Sequence, residues 1–184
     1  MPDIHPVMGH LDESMRRERF DRLYCAFGVD VLAYGRRRVA PEVADDVLVE
    51  TFLVVWRRLD DVPDDPRGWL LGIARRVIAN QRRGAQRRGA LVDRLIFERP
   101  SLVAPQPEPS PVLEALGQLS PLDQEALLLA AWDGLTSEEA SQVLGCSAVA
   151  FRLRLHRARR RLARALTAAA ASTQVVQFQP EEET

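Results

Sequence analysis

Seven arginines fall between Arg152 and Arg164 with no acid among them: Arg152, Arg154, Arg157, Arg159, Arg160, Arg161 and Arg164. Guanidinium groups at this density suit the binding of an anionic polymer, through forked contacts to phosphate or to a guanine edge. A second basic set, Arg75, Arg76, Arg82, Arg83, Arg87 and Arg88, surrounds Asn80, Gln81 and Gln86. Amide side chains among arginines can read base edges as well as phosphates. Nothing competes with these sets as a catalytic centre: no paired carboxylates, nucleophile and base, H-E-x-x-H or phosphate-binding glycine loop stands out. Two cysteines, Cys25 and Cys146, and three histidines offer no metal-ligand spacing and no disulfide framework. The cysteines are read as small packing residues, and neither a metal nor a cofactor is expected.

The basic residues need helices to present them. After Ser147 the apolar positions Phe151, Leu155, Ala158, Leu162 and Leu166 recur at intervals of four and three, which is one buried helix face. A surface helix normally mixes charge signs to gain i,i+4 pairs, and this one does not. Upstream, Asp123 to Trp132 is helix-compatible, Thr136-Ser137-Glu138-Glu139 starts a further helix with a hydroxyl cap, and Leu144-Gly145-Cys146-Ser147 is a tight turn. Gly145 is expected to close one helix in the left-handed conformation, and Ser147 to cap the next. The arrangement is a helix-turn-helix, which makes DNA the leading ligand.

The other basic set sits at the end of a three-helix pattern. Phe20, Leu23, Tyr24, Phe27, Val31 and Tyr34 mark a first helix. Pro41 opens a second, with Glu42, Asp45 and Asp46 in its first turns. That second helix, to about Leu59, carries apolar residues over far more than the usual stripe, so one face is left for a neighbour and another for a further partner. Pro66 precedes a third, where Trp69, Leu70, Ile73, Ala74, Val77 and Ile78 keep helical spacing and Trp69 is read as core. Its basic face is expected to end at Gly84 and Gly89.

The fold class is therefore all-α, two small helical domains joined by a proline-rich linker. The domains are expected at 16–90 and 112–168, with the linker at 91–111. Residues 1–15 read as a poorly ordered leader and 169–184 as a disordered acidic tail. Extended at the roughly 3.1 Å per residue of proline-rich chain, 99–111 spans on the order of 40 Å. The net charge of −1 hides strong segregation: nine arginines against two acids over 67–99, and seven acids with no base over 100–151. Counterion release responds to local charge, so the neutral total is no argument against DNA. No run of 18 apolar residues suggests membrane insertion.

Three stretches resemble bacterial RNA polymerase sigma factors of the sigma-70 family, extracytoplasmic-function group, which retain regions 2 and 4. Asp46-Val47-Leu48-Val49-Glu50-Thr51-Phe52 with Trp56 resembles the family's D-L-V-Q-E-x-F helix. Trp69-Leu70 with Ile73-Ala74-Arg75 resembles W-L-x-x-I-A-R. Leu119-Ser120-Pro121, Gly134-Leu135-Thr136, Glu138-Glu139, Leu144 to Ser147 and Arg154 to Arg159 follow in order over the last third. The resemblance implies a cytoplasmic bacterial initiation factor, nucleoid-associated with polymerase, that is not an enzyme. It implies core polymerase as partner, through the largest-subunit clamp and the flap of the second-largest subunit, together with promoter DNA; an anti-sigma factor stays open as a further partner, since no residue identifies one.

By the same resemblance Asp46, Val49, Glu50 and Leu53 contact the polymerase core. Arg75, Arg76, Asn80, Arg82, Arg83, Arg87 and Arg88 engage the proximal promoter element and aid opening, with Asn80 toward a base. Ser147, Ala150, Phe151, Arg152, Arg154, Arg157, Arg159 and Arg160 engage the distal element, with Arg152 and Arg154 as base readers and the later arginines on phosphates. The chain departs from the pattern at Val49 (usually Gln), Val54 (often polar), Arg76 (often Asn), Ala140-Ser141 (usually Ile-Ala) and Ala150-Phe151 (usually Thr-Val). A helix-turn-helix regulator that does not act with polymerase stays open as the alternative.

Overall fold

In the computed structural model, residues 7–92 and 111–176 are described, with side chains over 13–85 and 111–168. The chain divides into two compact units, Met1–Ala104 and Pro105–Thr184. The break falls inside 93–110, so the stretch read as linker lies largely outside the described residues. Among the described residues every regular element is helical.

The first unit is built from α1 (Val7–Arg36), α2 (Pro41–Arg57), a short 3-10 turn (Leu59–Asp61) and α3 (Arg67–Val92). Each helix packs on the other two. Proline sets the start of α2, standing at its first position where the missing N–H would have no partner anyway. Val31 and Tyr34 from α1, Val47 and Val55 from α2, and Leu70 and Ala74 from α3 are fully enclosed. At the α1–α2 corner a Cβ on Gly35 would stand 3.3 Å from that of Ala44, so the glycine permits a close crossing. Polar ties join the helices at the rim: Arg67 Nε donates to Asp30 at 2.8 Å, and Gln81 Nε2 to Glu50 at 3.1 Å. Trp69 is half-buried rather than enclosed, with the Arg58 guanidinium 5.6 Å from its ring centre.

The second unit holds α4 (Pro111–Gly117), α5 (Pro121–Ala131), α6 (Ser137–Leu144) and α7 (Ala148–Val176). The last of these packs against all three others. Ser120 caps α5, accepting from the Asp123 amide at 3.3 Å. Thr136 and Glu139 form a reciprocal capping box on α6: the hydroxyl accepts from the Glu139 amide at 3.2 Å and the carboxylate accepts from the Thr136 amide at 2.7 Å. Gly145 closes α6 at φ 67°, and Ser147 Oγ then accepts from the Ala150 amide at 3.1 Å. These contacts fix the turn between the two helices of the helix-turn-helix. Gly145→Ala is expected to cost about 1–2 kcal/mol, the penalty of a Cβ in the left-handed region. No neighbour lies within 4 Å of the added carbon, so the cost is conformational. Asparagine there should recover much of it, as urea unfolding of the two variants would show.

Three expectations about helix ends are corrected. Helix α1 begins at Val7, so 7–15 are helical rather than an unordered leader; Pro2 and Pro6 lie ahead of it, and Gly9 costs about 1 kcal/mol, which a 30-residue helix absorbs. Helix α3 runs through Gly84 and Gly89 to Val92 for the same reason. Helix α7 continues to Val176, past the expected end at 168, because Ala168 to Ala171 have the highest helix propensity of any residue type. Both cysteines are exposed rather than packed.

Candidate functional site

Three surfaces bear on function, two arginine-rich and one apolar. On α7 the buried line Phe151, Leu155 and Ala158 fixes which way the helix faces. Around it, Arg152, Arg157, Arg159 and Arg160 are exposed. Arg152 Nη1 lies 3.4 Å from Glu138 Oε1 on α6. Arg154 is half-buried and turned toward α5, where its Nη1 is 3.5 Å from Asp123 Oδ1. Arg161 donates a charge-assisted hydrogen bond to the other oxygen of the same carboxylate. Asp123, almost wholly buried, thus clamps α5 to α7 through two guanidinium groups that lie two turns apart on the same face of α7. The sequence reading treated Arg154 only as a DNA contact. Its partner lies 31 residues upstream, and only the tertiary register brings the two together.

Phe151 requires a correction. It is 1% exposed, a member of the core, and its place among DNA-contacting residues is withdrawn. The same four-and-three spacing that put Leu155 and Ala158 inside puts Phe151 there. Ser147 and Ala150 are exposed at the start of α7, Ser147 with its hydroxyl engaged in the cap. Asp123→Ala is expected to destabilise this unit by about 2 kcal/mol, the range for hydrogen bonds to charged partners. It should fall short of the roughly 3–5 kcal/mol of a fully buried broken pair, because both arginine heads reach water. Chemical unfolding of the full chain measures it.

On α3 the residues Arg76, Asn80 and Arg83 recur at intervals of four and three, all exposed, and form one face. Arg87 continues that spacing along the helix; the side chains of Arg87 and Arg88 lie outside the described residues. Arg83 Nη2 donates to Asn80 Oδ1 at 2.5 Å, which holds the amide so that its own N–H groups point away from the arginine. Arg75 and Arg82 lie to one side. Arg82 Nη2 donates to the carbonyl of Arg38 at 2.8 Å, so it also ties α3 to the α1–α2 corner.

The third surface is a groove of about 510 Å³ between α1 and α2, lined by Phe20, Tyr24, Val49, Phe52, Leu53 and Trp56 with Arg17 and Asp21 at its rim. Its wall is an aromatic cluster: Phe20 meets Trp56 edge-on at 5.3 Å between ring centres, and Tyr24 meets Phe52 at 4.9 Å. Val49 and Leu53 remain 58% and 50% exposed. Asp46, Val49, Glu50 and Leu53 share one face of α2 at helical spacing, with the two acids exposed and Glu50 accepting from Gln81. The contribution of α1 to the groove does not follow from the sequence, where Phe20 and Tyr24 only mark the apolar face of the first helix. The signal was there in two aromatic residues four apart, matching the apolar surplus of α2.

No group of histidine, cysteine or acidic side chains among the described residues could hold a metal ion. No helix among them is long and apolar enough to cross a membrane.

Comparison with known proteins agrees with this layout. Residues 23–88 match the model of sigma-70 region 2 and residues 110–162 that of sigma-70 region 4. The chain is 30% identical over 172 residues to the RNA polymerase sigma factor NccH of Alcaligenes xylosoxydans xylosoxydans, covering 83% of this chain and 92% of that one. It is 32% identical over 183 residues to the RNA polymerase sigma factor CnrH of Cupriavidus metallidurans, covering 90% and 96%. Among solved structures, CnrH in complex with the cytosolic domain of CnrY aligns at a TM-score of 0.55 and 29% identity, over 81% of this chain and 88% of that one. The sigma factor RpoE of Bartonella quintana, in complex with the anti-sigma factor NepR, shares the fold at a TM-score of 0.59 and 23% identity, over 80% and 96%. The region 2 match falls on the three-helix unit that carries the groove, and the region 4 match on the helix-turn-helix unit that carries the arginine face. The chain belongs to the sigma-70 family of RNA polymerase sigma factors, in the extracytoplasmic-function group, and is a transcription initiation factor rather than an enzyme.

Proposed function

We propose that this sigma factor docks on core RNA polymerase through the α1–α2 groove and directs the enzyme to promoters with its two basic faces. Asp46, Val49, Glu50 and Leu53 would meet the clamp of the largest subunit. Arg76, Asn80 and Arg83, with Arg75, Arg82, Arg87 and Arg88 beside them, would hold the proximal element and its opened strand. Unstacking a base costs a few kcal/mol, returned when the base is captured and its backbone held by arginine. The helix-turn-helix would take the distal element and also touch the flap of the second-largest subunit, with Arg157, Arg159 and Arg160 on phosphates.

The observation that carries this reading is the groove. A regulator that only binds DNA has no use for Val49 and Leu53 held in water beside an aromatic wall, whereas a subunit that docks on a protein does. An anti-sigma factor is a further partner by analogy, since Bartonella quintana RpoE is seen with one and CnrH with the cytosolic domain of CnrY. The same groove would be its simplest target.

Reconstitution tests the proposal. Core polymerase plus this chain, on a promoter library with open-complex footprinting, should give protection over two spaced elements and a melted segment between them and the start site. Specific duplex binding by the chain alone, undiminished without core, would favour the polymerase-independent regulator instead.

A further inference from the structure

Two apolar side chains stand where the second helix of a helix-turn-helix would meet the floor of the major groove. At about 100° per residue, taking Phe151, Leu155 and Ala158 as the inward line, Val149, Leu153 and Arg160 point straight out. His156 and Arg157 flank them, Arg152 and Arg159 lie toward one side, and Arg154 and Arg161 lie toward the other, where Asp123 holds them. Val149 is 66% and Leu153 49% exposed. A solvated face would carry polar residues at its apex throughout; here the apex is apolar over the first two turns, at Val149 and Leu153, before Arg160 continues it, and its surround is cationic.

The surround identifies what covers it. The exposed Arg159 on one side and Arg157 on the other suit two phosphate strands, and the first turns of such a helix are the part that reaches base edges. Valine and leucine have nothing to offer a hydrogen-bonding edge. The one apolar group that a base pair presents in the major groove is the C5-methyl of thymine. Arg152 and Arg154, the residues first considered for base reading, are both drawn toward carboxylates, on Glu138 and Asp123.

We propose that Val149 and Leu153 read thymine methyl groups in the distal promoter element, and that they, more than Arg154, set this protein's sequence preference there. The proposal rests on the assignment of α7 to the distal element. The pair lies beside Ala150, in the same opening turns of the helix.

The test uses holoenzyme and a distal element enriched from random duplexes. Thymines in that element are then replaced singly by uracil, which keeps every hydrogen-bonding group and removes only the methyl. Wild-type holoenzyme should lose about fourfold in affinity at each thymine that is read, the fold-change matching ~0.8 kcal/mol per buried methyl. Leu153→Ala and Val149→Ala should bind the thymine element more weakly and become indifferent to uracil at their respective positions. Because the uracil series is run on the unaltered protein, it needs no variant to fold. Equal affinity for thymine and uracil throughout overturns the proposal alone. So does loss of holoenzyme assembly, rather than of methyl sensitivity, in Leu153→Ala, which would assign the pair to a protein contact. Failure to enrich any distal element overturns both this and the reading beneath it.

Discussion

Replacing Phe151 by alanine is expected to destabilise the second unit by about 3–5 kcal/mol, the usual cost of emptying an enclosed phenylalanine site. The side chain is 1% exposed, and it lies on the helix that packs against all three others of its unit, whose own buried residues include Leu129 and Ala140. Few residues can fill the void, because α7 is held from three directions and α4, α5 and α6 are short. A unit of this size has little stability in reserve. Unfolding of the full chain should then show two transitions, that of the second unit shifted far down and that of the first unchanged. Phe151→Leu, which keeps most of the volume, should cost less than about 1.5 kcal/mol. If Phe151→Ala lowered distal-element binding with no loss of stability, the residue would return to the DNA interface, where the family pattern first placed it.

That reassignment marks where the sequence was sufficient and where it was not. Local rules located the turn of the helix-turn-helix closely: Thr136 with Glu139, Gly145 and Ser147 each act within four residues along the chain, and each does what its type dictates. The period of the apolar residues already put Phe151 inside, and only the motif comparison set it outside. Helix ends at 7, 92 and 176 were misplaced because isolated glycines were read as stops and the alanine run as a tail, although intrinsic propensity favours continuing.

Nonlocal pairs were out of reach for a different reason. Asp123 carries two possible roles in the sequence, a first-turn acid favoured by the helix dipole and a partner for an arginine elsewhere, and composition cannot choose between them. Only the packing of α5 on α7 brings Arg154 and Arg161 to it and removes Arg154 from the outward strip. The same holds for the groove. An excess of apolar residues on α2 announced a partner, but its shape needs Phe20 and Tyr24 from α1 to be placed alongside.

Leu53→Asp is expected to weaken assembly with core polymerase by at least about 30-fold, the equivalent of the ~2 kcal/mol that defines an interface hot spot. Leu53 sits at the edge of the aromatic wall, half exposed, with Val49 one turn before it. A carboxylate there would be desolvated by any apolar partner that enters the groove. In the free protein the aspartate is solvated, so stability should change by no more than about 0.5 kcal/mol. The separation of the two readouts is the point of the choice: a melting curve that matches wild type, beside a titration of labelled factor into core that does not, isolates docking from folding. Val49→Gln gives the graded control. It installs the residue more usual in the family, removes apolar area without adding charge, and should cost far less. Assembly unaffected by Leu53→Asp would mean that the groove does not face the clamp, and the exposed apolar face of α2 would need another occupant.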